Sequence, residues 1–196
     1  MISGKSANYF QGNIYMRKLA RVLLAVVFLA PTLHAADLPS PPSGFSWQQI
    51  PEVNSALLKP DGWYFKQAEK QGILGYFITK QDIDKLGHFD TGLTVNVFPK
   101  LGNGLAVERG KALIDKVAAA HNQMGWSRQA GQLQEFGCEI KDTDASGTEV
   151  MHALAVANTK TDTLYLFIFE SPESDWNASW KIGKEIMDAL TFDDGI

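Results

Sequence analysis

Residues 163–170 read TLYLFIFE, and this stretch decides the architecture. Side chains alternate sides along a strand. Tyr165, Phe167 and Phe169 fall on one face and Leu164, Leu166 and Ile168 on the other, so both faces are apolar. A strand with two dry faces belongs inside a sheet that is covered on both sides. The rest of the chain must then supply neighbouring strands and covering layers.

Residues 147–158 are strongly strand-like and meet TLYLFIFE through the turn Thr159-Lys160-Thr161-Asp162, and residues 132–140 precede them as another strand. Residues 91–98 alternate, with Leu93, Val95 and Val97 on one face and Thr94 and Asn96 on the other. Earlier still, residues 57–66 read LLKPDGWYFK. Proline fixes its own backbone, aspartate bonds locally and glycine accepts a positive φ, so Pro60-Asp61-Gly62 reads as a corner before a strand. Trp63 and Phe65 then share one face, Tyr64 and Lys66 the other, and residues 73–80 return as the second arm of a hairpin.

The spacing switches to helical over residues 105–124. Ala106, Leu113, Val117, Ala120 and Met124 form a stripe with Ile114 on its flank, and Gly125 suits a stop. Ser171-Pro172-Glu173 reads as the start of a closing helix, by a capping hydroxyl, a proline in the first turn and an acid at the positive end. That helix runs to about Leu190 with Trp176, Trp180, Gly183, Met187 and Leu190 on one side. Gly183 lets it lie close to the sheet, and Trp63 and Trp180 read as core anchors. Strands joined by short turns, with a helix between and a helix after, imply an α+β fold: a mainly antiparallel β-sheet sandwiched by helices.

The N-terminus carries an address. Met16 to Arg21 is basic, residues 22–30 are nearly all apolar, and small residues follow around Ala35. This is the order of a signal peptide, and an apolar core of about a dozen residues is shorter than the roughly 20 that span a membrane. The expectations are a start at Met16, a signal peptide over residues 1–35 cleaved after Ala35, a proline-rich tether over 36–44, and one domain over 45–196. No cysteine lies near the cut to accept a lipid. Losing Lys5, Arg17, Lys18 and Arg21, but none of the 22 acidic residues, takes the formal net charge from −4 to −8. A chain so acidic has no broad attraction to nucleic acid or anionic lipid, and no stable membrane insertion is expected after cleavage. Cys138 is the only cysteine, so no internal disulfide forms, and it reads as a small buried apolar side chain. About 160 residues suffice for one core without staples.

Chemistry is sparse. No nucleophile elbow, phosphate loop, dinucleotide fingerprint or zinc-binding His-Glu-x-x-His pair occurs. His121 reads as an edge-of-core residue on the long helix, and His152 sits on an apolar strand. The best polar pair is His88-Phe89-Asp90: in an extended segment an imidazole and a carboxylate two residues apart could meet a ligand together. The competing reading is a loop in which Asp90 bonds backbone nearby. No catalytic residue, metal ligand or cofactor site can be named.

The corner Pro60-Asp61-Gly62-Trp63, the strand at 91–98, the mid-chain helix, and Phe169-Glu170-Ser171-Pro172 followed by Trp176 and Trp180 resemble the PsbP-like domain. That superfamily includes the extrinsic subunit of the photosystem II oxygen-evolving complex, a Ran-binding nuclear import factor and many secreted bacterial proteins. The resemblance implies a fold over about residues 45–192. Plant members are associated with calcium, chloride or manganese, but no metal-site motif here carries that across. Their docking surface is partly basic, whereas this mature chain is acidic. Two functions follow as expectations. The first is a periplasmic or secreted, non-catalytic interaction module that binds another envelope protein. The second is a small-ligand or ion site near His88 and Asp90, with hydrolytic activity as its furthest extension.

Overall fold

The computed structural model describes residues 38–145 and 147–191. The expected signal peptide, with its cleavage point, lies outside them. Among the described residues nine strands and three α-helices follow in order, with a 3-10 turn at Pro51–Val53 after the first strand: β1 (Phe45–Ile50), β2 (Ser55–Pro60), β3 (Tyr64–Lys70), β4 (Ile73–Thr79), α1 (Ile83–Leu86), β5 (Gly92–Phe98), α2 (Leu105–Ala120), β6 (Trp126–Ala130), β7 (Leu133–Asp144), β8 (Gly147–Asn158), β9 (Thr163–Pro172) and α3 (Trp176–Asp188). Strands β3 to β9 form one seven-stranded sheet in the order β3-β4-β5-β9-β8-β7-β6, antiparallel throughout. The TLYLFIFE strand is its middle member, as two apolar faces require.

On one face, Ala106, Ile114 and Ala118 of α2 pack on Phe136, Cys138, Ala153, Ala155, Leu164 and Leu166. On the other, Tyr76, Val95, Phe167 and Phe169 meet Ile186 of α3 together with Leu57 and Leu58 of the two-stranded β1–β2 sheet. The second covering layer is therefore a helix and a small sheet side by side, where the sequence suggested helices alone. Strands β1, β2 and β6 were not anticipated.

Three local readings change. Helix α2 ends at Ala120, Asn122 takes a left-handed φ of 54°, and Met124 is 91% exposed. Its buried row is Ala106, Gly110, Ile114 and Ala118, rotated from the expected stripe. The reason is size. A Cβ on Gly110 would come within 3.1 Å of Leu164, so small residues let the helix sit low, and Leu113 and Val117 pack from its flank. The closing helix starts at Trp176, not near Pro172. Pairing to β8 carries β9 through Ser171 and Pro172, and the Ser171 hydroxyl is buried 3.3 Å from that of Thr91 instead of capping a helix. Trp63 and Trp180 pack against the core but are half-buried.

The corner holds. Strand β2 ends at Pro60 and β3 opens in the other sheet at Tyr64. Trp63 N–H donates to the Pro60 carbonyl at 3.1 Å, Asp61 N–H donates to Gly44 at 2.8 Å, and Gly62 has φ 77°. Lys59 Nζ donates to the Trp63 carbonyl at 3.2 Å and ties the exit strand to the turn. Part of the expected tether also docks, since the Trp47 indole N–H donates to the Pro39 carbonyl at 2.7 Å. Among the described residues no helix is long and apolar enough to cross a membrane.

Candidate functional site

His88 and Asp90 lie in the loop from β4 to β5, and the loop's shape follows from its residues. Asp82 accepts from the Asp84 N–H at 3.1 Å and starts α1; Gly87, at φ 74°, ends it by donating to Ile83 at 2.8 Å. Phe89 then turns inward over Gly92, whose missing side chain leaves the room: a Cβ there would lie 3.1 Å from the Phe89 ring and 2.8 Å from the Ile78 carbonyl. Phe89 is half-buried, and His88 and Asp90 on either side of it are exposed.

The two side chains face solvent with separate partners. His88 Nδ1 donates to the Leu86 carbonyl at 3.0 Å, which leaves Nε2 outward. Asp90 Oδ2 accepts from the Gln81 amide at 3.2 Å. The Gln81 oxygen in turn accepts from the Asp90 and Thr91 N–H groups at 3.3 and 3.2 Å. Gln81 thus staples the loop to the end of β4, a role that a side-chain amide with both donor and acceptor can fill and that its isolated position in sequence does not announce. The structure forms no bond between His88 and Asp90.

Glu149 is a carboxyl that sequence reading missed. Register places it opposite Asp142 on β7 and Pro172 on β9. Burial holds its carboxyl above the ordinary range, and the charges of Asp142, Asp90 and Asp144 push the same way. Asp90 therefore stands at an acidic end of the sheet. Among the described residues no group of three or more His, Cys, Asp or Glu side chains is arranged to hold a metal ion.

His152, His121 and Cys138 serve packing. His152 packs at a tilt against Trp180 with centroids 4.5 Å apart, and burial lowers its pKa. His121 closes α2 with both ring nitrogens out of solvent. Cys138 is buried as expected, and burial raises its thiol pKa, which keeps it inert. A shallow depression of about 350 Å³ lies between Pro42, Leu58 and the Lys181, Lys184 and Asp188 side of α3; neither His88 nor Asp90 lines it.

No family model matches the chain, and no match is found among curated proteins. Solved structures do resemble it. The cyanobacterial PsbP of Synechocystis sp. PCC 6803 is 16% identical, with a TM-score of 0.48 over 76% of this chain and 92% of that one. The Ran-binding protein Mog1p of Saccharomyces cerevisiae is 9% identical, with a TM-score of 0.46 over 76% and 95%. LpqN of Mycobacterium tuberculosis, described as involved in cell envelope biogenesis, is 7% identical, with a TM-score of 0.39 over 80% and 82%. The likeness is one of overall α+β arrangement, at low identity.

Proposed function

We propose that the chain is an exported, non-catalytic interaction module of the cell envelope. The observation that carries this reading is the placing of exposed apolar side chains. Among the described residues the large exposed ones are Tyr64, Leu86, Met124 and Trp126. Tyr64 belongs to β3, at one margin of the seven-stranded sheet, and α1, which carries Leu86, is tied to β3 by the Lys66–Asp84 ion pair. Trp126 opens β6 at the opposite margin, two residues after Met124. Apolar groups gathered at defined edges of a rigid sheet fit contact with another macromolecule better than chance exposure. The basic, apolar, small order of residues 16–36 supports export.

Affinity capture from an envelope fraction, run beside native mass spectrometry of the purified protein, tests this. A protein partner retained by the wild type and lost when Tyr64 or Trp126 is replaced, with the melt unchanged, is the expected result. A co-purifying small molecule that disappears with His88→Ala or Asp90→Ala would instead move the function to the β4–β5 loop. Intact mass of the exported protein should begin after Ala35; a form that still carries Arg17 would refute cleavage.

A further inference from the structure

The two margins of the sheet are not equivalent. Strand β3 carries Lys66, Glu69 and Lys70, and charges along an edge oppose the addition of another strand. Strand β6 carries a single charge, Arg128, and all five of its residues are exposed. It pairs only with β7, so its outer row of backbone groups faces away from the sheet.

The β6 side chains are held ready. Trp126 is 42% exposed, yet its ring lies flat on Gly137 across the ladder, where a Cβ would fall 2.3 Å from the indole. The guanidinium of Arg128 stands over that ring at 5.9 Å. Arg128 Nε donates to the almost fully buried carboxylate of Glu135 at 2.6 Å, while the Arg128 side chain remains 69% exposed. One edge of the guanidinium is fixed on Glu135, the charge of Asp188 acts on it more weakly, and among the described residues no hydrogen bond is seen from its two terminal nitrogens. A planar fork of this kind fits a carboxylate. Tryptophan and arginine are also among the residue types enriched where binding energy concentrates at interfaces.

We propose that β6 receives an extended segment of a partner protein as an added strand, with a carboxylate of that segment opposite Arg128 and an apolar side chain against Trp126 and Met124. The proposal rests on the interaction reading above and names the partner's chemistry. A second copy fits less well. Antiparallel pairing of two β6 strands about their middle residue would set Arg128 against Arg128, and like charges directly opposite are unfavourable. Main-chain bonds would supply affinity, and the alternate side chains specificity.

The test uses two capped synthetic heptapeptides of alternating threonine and valine, one with a central glutamate and one with a central lysine, titrated into the isotopically labelled exported protein. The glutamate peptide should shift the amide resonances of Trp126–Ala130 and β7 and bind about tenfold tighter than the lysine peptide. Arg128→Gln should erase that difference and Arg128→Glu reverse it, with melts confirming that both variants fold. Equal binding of the two peptides, shifts confined to other strands, or no shifts at all would overturn the proposal. So would β6 shifts that depend on protein concentration alone, the mark of a second copy. A photo-crosslinker placed in cells at Ser127 or at Tyr64 separates the two levels. Capture from Tyr64 only ends the β6 assignment and leaves the interaction reading standing, whereas capture from neither position ends that reading as well.

Discussion

Gly183→Ala sets two known effects against each other, and the structure says which wins. In a helix interior alanine is favoured over glycine by about 1 kcal/mol, so propensity alone predicts a more stable protein. Packing predicts the reverse. A Cβ at position 183 would lie 2.7 Å from one ring carbon of Phe169 and 2.8 Å from two others. Carbon atoms rest about 3.5–4.0 Å apart, so something must move by several tenths of an ångström. Phe169 cannot give way. It is fully buried on the middle strand, and its ring is flanked by Trp176 and Trp180 at centroid distances of 6.0 and 5.7 Å. Helix α3 would have to lift and take the buried Ile186 with it. Overpacking of this kind costs roughly 1–3 kcal/mol, which outweighs or at least cancels the propensity gain. The expected net loss is about 0–2 kcal/mol, or at most roughly 4–8 °C in melting temperature for a domain of this size. Thermal and urea unfolding of Gly183→Ala, Phe169→Leu and the double variant measure it, and the penalty should shrink in the double variant, where the smaller side chain leaves room. A rise in melting temperature for Gly183→Ala on the wild-type background would refute the close approach of α3 to β9.

Trp63→Ala and Trp180→Ala should each destabilise by about 2–3 kcal/mol, less than the 3–5 kcal/mol of a fully buried tryptophan, because both are half-buried; an unchanged melt would place that residue in a contact surface. Gly62→Ala should cost about 1 kcal/mol, since φ is 77° there although space is open, while Asp61→Asn, on an exposed turn residue, should leave both melt and binding unchanged. Glu149 has its carboxyl pKa raised by burial and by Asp142, so in the window above 4.5 the native state holds a proton more readily than the unfolded chain and stability falls as pH rises. Glu149→Gln should therefore raise the melting temperature at pH 7, with the gain fading as the pH is taken below 4.5; an equal gain at every pH would show that charge is not the cause.

The parts of the fold that were legible are those where one local pattern dictates one environment. Two apolar faces put TLYLFIFE in the centre; a proline-aspartate-glycine run followed by alternating aromatics made a corner; Gly183 on an aromatic stripe foretold a close contact. Patterns failed where tertiary neighbours chose among locally equal options. Along α2, Leu113 and Val117 are a hydrophobic choice for a core row, but the close approach over Leu164 and Phe136 at Gly110 turns the row to Ala106, Gly110, Ile114 and Ala118. Ser171-Pro172-Glu173 satisfies the chemistry of a helix start and of a strand end alike, and the length of β8 decided for the strand.

The same distinction explains why the candidate sites were harder to see than the fold. His88 stands out as one of four histidines and Asp90 by its spacing from it, yet what holds Asp90 is Gln81, nine residues earlier, while His88 bonds the Leu86 carbonyl, and nothing in a lone glutamine marks it as a staple. Strand β6 is subtler still. WSRQA has neither the alternation of a half-buried strand nor the run of a buried one, since every residue in it is exposed. Its order comes from outside: Gly137 makes a seat for the indole of Trp126, and Glu135 draws in Arg128. A strand that owes its conformation to its neighbour, and that buries little of itself, has its outer edge and its aromatic anchor left over for another chain. Core residues announce themselves through hydrophobic period because burial is what selects them, whereas an edge built to receive a partner lacks that period until the partner is there.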